Sequence, residues 1–363
     1  MPPLWRVPLL LLGFAGLLFG TLSGLARLGV AVPAAAASAA ALHGPLMIVG
    51  FFGVVIALER AVAIGRLWAY LGPLAAGLGG AAAIAGAPQL AAPLFLVGSL
   101  VLFAASVDVV RRQAALFTLT IAAGALALVV GNALWARGWP VREVVAWWLA
   151  FLILTIAGER LELTRLLPPS PGARRVFVLT VIALVVGLLG AQFAWGARVF
   201  GAALLALAAW LGRQDVARRN VRQRGLPRFI AVCLLSGYVW LAVGGAVLLA
   251  AGALAPGSPS YDAALHALAL GFVFSMVFGH APIIVPAVLR VRVPYTAAFY
   301  LSLVLLQASV LVRLAGDAAG RFDWTRAGAL GNALAIAVFI LVTLRAALRG
   351  RGARDIARPN REL

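Results

Sequence analysis

Apolar runs of membrane-spanning length follow one another along almost the whole chain, and they restrict its fold more than any other feature. An α-helix needs about 20 mainly apolar residues to cross about 30 Å of hydrocarbon. Of the 363 residues, 64% are hydrophobic and only 11% are charged. Runs of the required length lie at 7–26, 43–63, 68–86, 89–108, 114–135, 143–163, 175–193, 197–212, 229–252, 263–287, 295–315 and 327–348. The sequence therefore predicts an all-α polytopic membrane protein with about 12 transmembrane helices.

The arginines predict the orientation of these helices. All 30 basic residues are arginine, and short loops on the cytoplasmic side of a membrane carry an excess of positive charge. If the N-terminus lies inside, 23 of the 30 arginines fall on the cytoplasmic side and seven on the other. This asymmetry predicts that both termini are cytoplasmic, in a multi-pass protein of a bacterial-type inner membrane.

The same topology explains the net charge of +19. The basic segments 213–228 and 349–363, the second of them a C-terminal tail, each follow a predicted helix directly, where arginine contacts anionic lipid. We therefore expect the lipid bilayer as a partner and no nucleic acid. The chain 1–363 is predicted to form one helical-bundle domain, with seams near 164–174 and 213–228.

The three histidines are the first candidates for a functional site, because ionisable side chains within hydrocarbon usually face the bundle interior or a cavity. His43 opens predicted helix 2, and His266 lies a turn into predicted helix 10. Both helices run from outside to inside, so the two rings should lie at a similar depth near the outer face. His280 lies 14 residues further along, which in an α-helix is about 21 Å deeper and about 40° away around the axis.

Two imidazoles on facing helices are the ligand set of a six-coordinate haem iron, whereas zinc normally takes three or four protein ligands. The alternative for each histidine is a hydrogen bond between helices. The apolar slot that a haem ring needs could be lined by Met47, Phe51, Phe52, Phe272, Phe274, Met276 and Phe278. Partners for the propionates at the outer face could come from Arg137, Trp139, Arg142, Trp324 and Arg326.

Two segments carry a resemblance to a known family. HGPLM (43–47) resembles the HGxxM of the second helix of subunit I of haem–copper oxidases, and HALALGFVFSMVFGHAPIIVP (266–286) is similar to their tenth helix. The resemblance implies that His43 and His266 are the axial ligands of a low-spin haem b and that Arg326 contacts its propionates. Predicted helices 6 and 7 contain no histidine, so no copper site and no complete oxygen reductase are expected.

A more distant resemblance is to the NnrS family, multi-helix haem proteins linked with nitric oxide. Together these features predict a haem b protein with a bis-His iron near the outer face, serving electron transfer or a nitric-oxide-related role. Its expected partner is a redox protein or another membrane subunit. If the chain is an enzyme, we expect an oxidoreductase. His280 is a candidate for a second iron site.

Two other functions use the same residues differently. In a proton-coupled secondary transporter, His266, His280 and Glu59 would titrate, with Glu59 and His280 as a proton relay, because histidine titrates near physiological pH. Pro282 and Pro286 offer a break in helix 10, although a helix that ends there explains them equally well. In a haem-free assembly subunit, the histidines would only bridge helices. Glu59 belongs to a weak internal sequence similarity, because FFGVVIALERA (51–61) and FLILTIAGERLEL (151–163) both contain a Glu-Arg pair.

Overall fold

The computed structural model of the chain describes residues 3–164, 168–252, 255 and 257–356, the last six as backbone only. Throughout these ranges the chain is helical and contains no strand. Twelve helices are long and apolar enough to cross a membrane: α1 (Pro3–Arg27), α2 (Ala40–Ile64), α3 (Leu67–Ile84), α4 (Pro88–Arg112), α5 (Leu116–Ala136), α6 (Val141–Leu163), α7 (Pro171–Leu189), α8 (Ala194–Gln214), α9 (Leu226–Ala251), α10 (Pro259–Leu289), α11 (Phe299–Ala319) and α12 (Phe322–Gly350). The predicted all-α polytopic membrane fold is confirmed.

The predicted helix ends need correction, most of all in α11. The apolar run 295–315 predicts a helix four residues earlier than the observed Phe299–Ala319. The backbone turns before Phe299, where Arg290 adopts a left-handed φ of 54° and the Thr296 hydroxyl accepts a hydrogen bond from the Ala298 N–H at 3.4 Å. Arg313 and Asp317 therefore belong to the membrane-spanning helix, where both are buried. Residues 165–167 of the first seam and 357–363 of the basic tail lie outside the described ranges.

Helix α6 forms the centre of the bundle. In its most apolar window, 78% of the residues are buried, more than in any of the other eleven helices. Trp148 and Phe151 have no exposed surface. The Trp148 Nε1–H donates to Asn132 Oδ1 at 3.0 Å, and the Asn132 amide donates to the Phe95 carbonyl at 3.0 Å. This network joins α4, α5 and α6, and α6 also contacts α2 and α10.

Two π-helical segments distinguish α2 and α10 from the other ten helices. Leu46–Gly53 in α2 and Ala267–Phe274 in α10 are eight residues long, and each begins just after a histidine. Such wide turns occur frequently at functional sites. The α-helix continues from Ser275 through both prolines to Leu289. The irregular part of α10 is therefore the π segment beside His266, and the predicted break at Pro282 and Pro286 is absent.

Candidate functional site

A cavity of about 740 Å³ lies between α1, α2, α6, α10, α11 and α12. Its size falls within the range of about 300–1,000 Å³ that is usual for small-molecule and cofactor sites. The apolar part of the wall includes Met47, Ile48, Phe52, Leu149, Leu152, Phe274 and Ile336. The polar part includes Arg27, Arg142, Tyr261, Asp262, Arg313 and Asp317. These polar residues lie near the helix ends on one face of the bundle, which we call the cavity face.

His43 and His266 line this cavity together. Their ring centroids are 6.3 Å apart, and the ring planes are inclined by 23°. The Nδ1 atom of His43 lies 2.7 Å from the Gly20 carbonyl oxygen, and that of His266 lies 2.9 Å from the Asp262 carbonyl oxygen. A carbonyl oxygen only accepts hydrogen bonds, so each Nδ1 carries a proton, and in a neutral imidazole the Nε2 then has the free lone pair.

The two Nε2 atoms have no hydrogen-bond partner in the described part of the chain. An imidazole that donates from one nitrogen to a carbonyl and leaves the other nitrogen free has the tautomer and the fixed orientation of a metal ligand. His43 joins α2 to α1 through its Nδ1–H, whereas His266 bonds within its own helix. Each ring keeps its Nε2 available for a further partner.

Glycines of α1 create the space for the ring of His43. A Cβ atom built on Gly24 would lie 2.7 Å from Cε1 and Nδ1 of His43, and one on Gly20 would lie 2.8 Å from Sδ of Met47. The Thr21 hydroxyl also faces this sulfur at 3.9 Å. The small residues of α1 therefore let α2 approach closely and fix the position of His43 and Met47 against the cavity.

An ion-pair network surrounds the backbone turn that holds His266. Arg313 donates two hydrogen bonds to the Asp262 carboxylate, from Nε to Oδ2 at 2.7 Å and from Nη2 to Oδ1 at 2.8 Å. The same carboxylate lies 3.1 Å from His266 Nδ1. Asp317 accepts a hydrogen bond from the Thr325 hydroxyl at 2.9 Å, while its Oδ2 is buried and has no hydrogen-bond partner among the described residues. We call Asp262, Arg313, Asp317 and Thr325 the aspartate–arginine network.

Met47 and Phe274, both predicted at the haem slot, lie in the cavity wall. Phe274 is 2% exposed, and its ring stacks on Phe51 with a centroid distance of 6.3 Å and meets Phe52 edge-on at 5.3 Å. Phe52 and Phe274 form the floor of the cavity, and Phe51 packs behind them.

Trp324 and Arg326 lie outside the cavity wall. In the first turns of α12 it is Phe322, Thr325 and Ala329, spaced three and four residues apart, that face the cavity, so residues 324 and 326 point elsewhere. Arg326 donates instead to the Gly29 carbonyl at 3.2 Å, and Trp324 is 42% exposed. The cavity wall contains Arg27 and Arg142 instead.

The spacing of charged residues in the sequence already indicates the aspartate–arginine network. Asp262 stands four residues before His266, which is one helical turn. Arg313 and Asp317 have the same spacing. The helix predicted to end at residue 315 placed Arg313 and Asp317 at a membrane boundary, where charged side chains are common. Their burial was therefore not predicted.

His280 and Glu59 lie at the other end of the bundle and take no part in the cavity wall. His280 Nδ1 lies 2.6 Å from the Met276 carbonyl oxygen, and its buried Nε2 makes no hydrogen bond within the described part of the chain. The charged neighbour of His280 is Arg160, whereas Glu59 interacts with Arg60 and Glu159. Among the described residues no hydrogen bond or ion pair joins Glu59 to His280, so a relay through these two residues stays a prediction.

Comparison with known proteins gives a family for the chain. No curated protein matches it. The sequence model of a family described as "Domain of unknown function (DUF8744)" matches residues 6–348. Because this match covers most of the chain and every residue of the cavity wall, the chain belongs to the DUF8744 family.

Proposed function

We propose that the protein binds haem b in the membrane, with His43 and His266 as the two axial ligands, and that it serves electron transfer or a nitric-oxide-related role. The observation that carries the proposal is the pair of free Nε2 atoms on rings whose centroids are 6.3 Å apart. An iron atom bound by two imidazole nitrogens at about 2.0–2.1 Å each would leave the ring centroids about 6 Å apart. The two histidines therefore have the spacing that such an iron requires.

The rest of the wall also suits a haem. Aromatic and aliphatic side chains supply an apolar slot, and Arg27 and Arg142 supply cations for the propionates where the wall is polar. Arginine binds carboxylates strongly because it can donate two parallel hydrogen bonds. Within the described ranges, no three His, Cys, Asp or Glu side chains are grouped so that they could hold a metal ion alone. A macrocycle that brings its own nitrogen ligands fits this pair of histidines better than a bare ion does.

The protein residues would orient the iron ligands and set their charge environment. The carbonyls of Gly20 and Asp262 hold the two imidazoles in the Nδ1–H tautomer, and the aspartate–arginine network fixes the helix turn of His266. A haem b bound here would supply one-electron redox chemistry. With both axial positions occupied by histidine, electron transfer is the simpler role, since a gas would have to displace one ligand.

The distribution of arginines supports the placement of the cavity face on the outer side of a bacterial-type inner membrane. Arg27, Arg142 and Arg313, which line the cavity, are among the seven arginines of the less basic side. Positive charge concentrates on the cytoplasmic side. We therefore expect a redox partner that reaches the haem from outside or a further membrane subunit.

The test is reconstitution of the purified full-length protein with haem b. We expect a Soret band and split α and β bands in the reduced state, and we expect the His43→Ala/His266→Ala double variant to lose them. His280→Ala is the matched control, since its ring lies away from the cavity, and should keep the spectrum. Failure of the unchanged protein to bind haem, or a spectrum that survives in the double variant, would refute the proposal.

Gly24→Ala should weaken haem binding even though residue 24 contacts no iron. The new methyl group would come within 2.7 Å of the His43 ring, so the ring must move and strain its hydrogen bond to Gly20. Changes around metal ligands typically cost about 10- to 100-fold in affinity, and we expect a loss of about 10-fold in a haem titration. Gly212→Ala, where no atom lies within 4 Å of the added Cβ, should bind haem normally. Equal affinity in the two variants would contradict the assigned position of His43.

A further inference from the structure

A second group of polar side chains lies within the bundle at the end opposite the cavity face. It comprises Glu59 and Arg60 of α2, Glu159 and Arg160 of α6, Asp215 after α8, Tyr238 of α9 and His280 of α10. Charge interactions without a direct hydrogen bond relate Glu59 to Glu159, and Arg160 to Glu159, Tyr238 and His280. The Tyr238 hydroxyl donates to Asp215 Oδ2 at 2.6 Å. We call this group the second polar cluster.

Two members of this cluster have buried nitrogens without a partner. Arg160 is 5% exposed, and its Nε is buried and makes no hydrogen bond to any described residue. His280 Nε2 is in the same state. Leaving a buried polar group without a hydrogen bond is unfavourable, and more so for a charged one. Both nitrogens therefore call for a partner that is not a protein group.

The chemistry of the two nitrogens restricts what that partner is. Arg160 Nε carries a hydrogen and only donates. His280 donates its Nδ1–H to the Met276 carbonyl at 2.6 Å, so its Nε2 only accepts. An anion without a hydrogen, such as chloride, could accept from arginine but could not donate to the imidazole. Water does both, and buried waters typically satisfy such otherwise unpartnered groups.

Glu59 and Glu159 each have a carboxylate that can accept a proton. In the described ranges neither Glu59 nor Glu159 makes a hydrogen bond or an ion pair within 4 Å, and both are half-buried. Each stands four or five residues before the end of its helix, Ile64 or Leu163, so the aqueous phase is near. The remaining charged groups around them are Arg60, Arg160, Glu162 and Asp215. Two neighbouring carboxyls in a poorly solvated site do not both ionise readily.

We propose that the second polar cluster is a hydrated proton-transfer site, in which buried water contacts Arg160 and His280 and exchanges a proton with Glu59 and Glu159. In the forward step a hydronium ion arriving from the adjacent aqueous phase gives its proton to a glutamate oxygen and leaves as water. The reverse step returns the proton to water. The proposal does not depend on haem, because none of these residues lies in the cavity wall.

An aromatic layer separates this site from the cavity. Phe274 belongs to the cavity floor, and Phe278, one turn further along α10, stacks on Phe339 with a centroid distance of 4.0 Å. His280 follows two residues later. The proton would therefore enter and leave on the same side, from the face that the arginines predict to be cytoplasmic.

Infrared spectroscopy of the full-length protein in lipid nanodiscs tests this, with or without added haem. We expect a C=O stretching band of a protonated carboxylic acid that grows as the pH falls and shifts in D₂O. Glu59→Gln and Glu159→Gln should each reduce it by about half or more if the carboxyls share one proton. Glu143→Gln, at the other end of the same helix α6, is the matched control and should leave the band unchanged.

Three results would overturn the proposal: no such band at any pH, a band that does not exchange in D₂O, or a band insensitive to both glutamate variants. A high-resolution experimental map gives a second measurement on the unchanged protein, and we expect water density within hydrogen-bond distance of Arg160 Nε and His280 Nε2. Density for an anion there, or none, would also refute it. Because these results need no haem, they stand apart from the outcome of the haem titration.

Discussion

Arg313→Gln should lower the free energy of unfolding by about 3 kcal/mol, the scale for removing one partner of a buried ion pair. The Arg313 side chain is 8% exposed and makes two hydrogen bonds to Asp262. Glutamine cannot reproduce this bidentate contact, so the carboxylate of Asp262 would be left with His266 and the nearby Asp317. Chemical unfolding of the purified protein in detergent would measure the loss.

The control for this variant is Arg321→Gln at the exposed end of α11. Arg321 also makes two hydrogen bonds to an aspartate, Asp323, but both side chains are more than half exposed. Exposed ion pairs contribute little to stability because water solvates the separated charges well. The Arg321 variant should unfold like the unchanged protein. If the two variants unfold alike, the pairing of Arg313 with Asp262 is not the stabilising contact that the structure shows.

A single-ligand variant, His266→Ala or His43→Ala, should bind haem at least about 10- to 100-fold more weakly than the unchanged protein, since even residues that only support a ligand contribute that much. The haem that does bind should respond to carbon monoxide with a shifted Soret band, because one axial position is open. The unchanged protein, with both histidines in place, should respond little. Absorption spectra of the reduced proteins before and after gas addition would show this.

His280→Ala serves again as the control, and it should match the unchanged protein in haem affinity and in its lack of response to carbon monoxide. The comparison also tests the earlier idea of a second iron at His280. If His280→Ala alone loses haem, or if His266→Ala and His43→Ala keep six-coordinate spectra, the iron is held somewhere other than between residues 43 and 266.

The number of helices could be predicted from the sequence because hydrocarbon thickness alone determines how long each apolar run must be. The pairing of His43 with His266 followed from the same constraint, since alternating helix directions assign a depth to each residue. Depth does not say which way a side chain faces around its helix. That is why the sequence suggested Glu59 as a neighbour of His280, whereas the structure places Arg160 beside it.

The aspartate–arginine network could not be predicted from hydropathy. An apolar run ends where charges begin, but a helix continues past that point when its charges find partners inside the bundle, as Arg313 and Asp317 do. The repeated Glu-Arg pairs gave a different kind of signal. In the sequence they formed only a weak internal similarity, and in the structure the charges of Glu59 and Glu159 act on one another between α2 and α6.

The wide turns after His43 and His266 have a consequence for how the two ends of α2 and α10 are aimed. A π turn holds more residues than an α turn, so the eight residues of each segment advance around the axis by less than an ideal α-helix would. The 40° offset expected between His266 and His280 therefore does not apply. The angular phase of each helix below its wide turn is shifted from the phase that an unbroken α-helix would have there. Helices α2 and α10 can thus each direct a histidine into the cavity near one membrane surface. Near the other surface, the same helices direct Glu59 and His280 towards different neighbours.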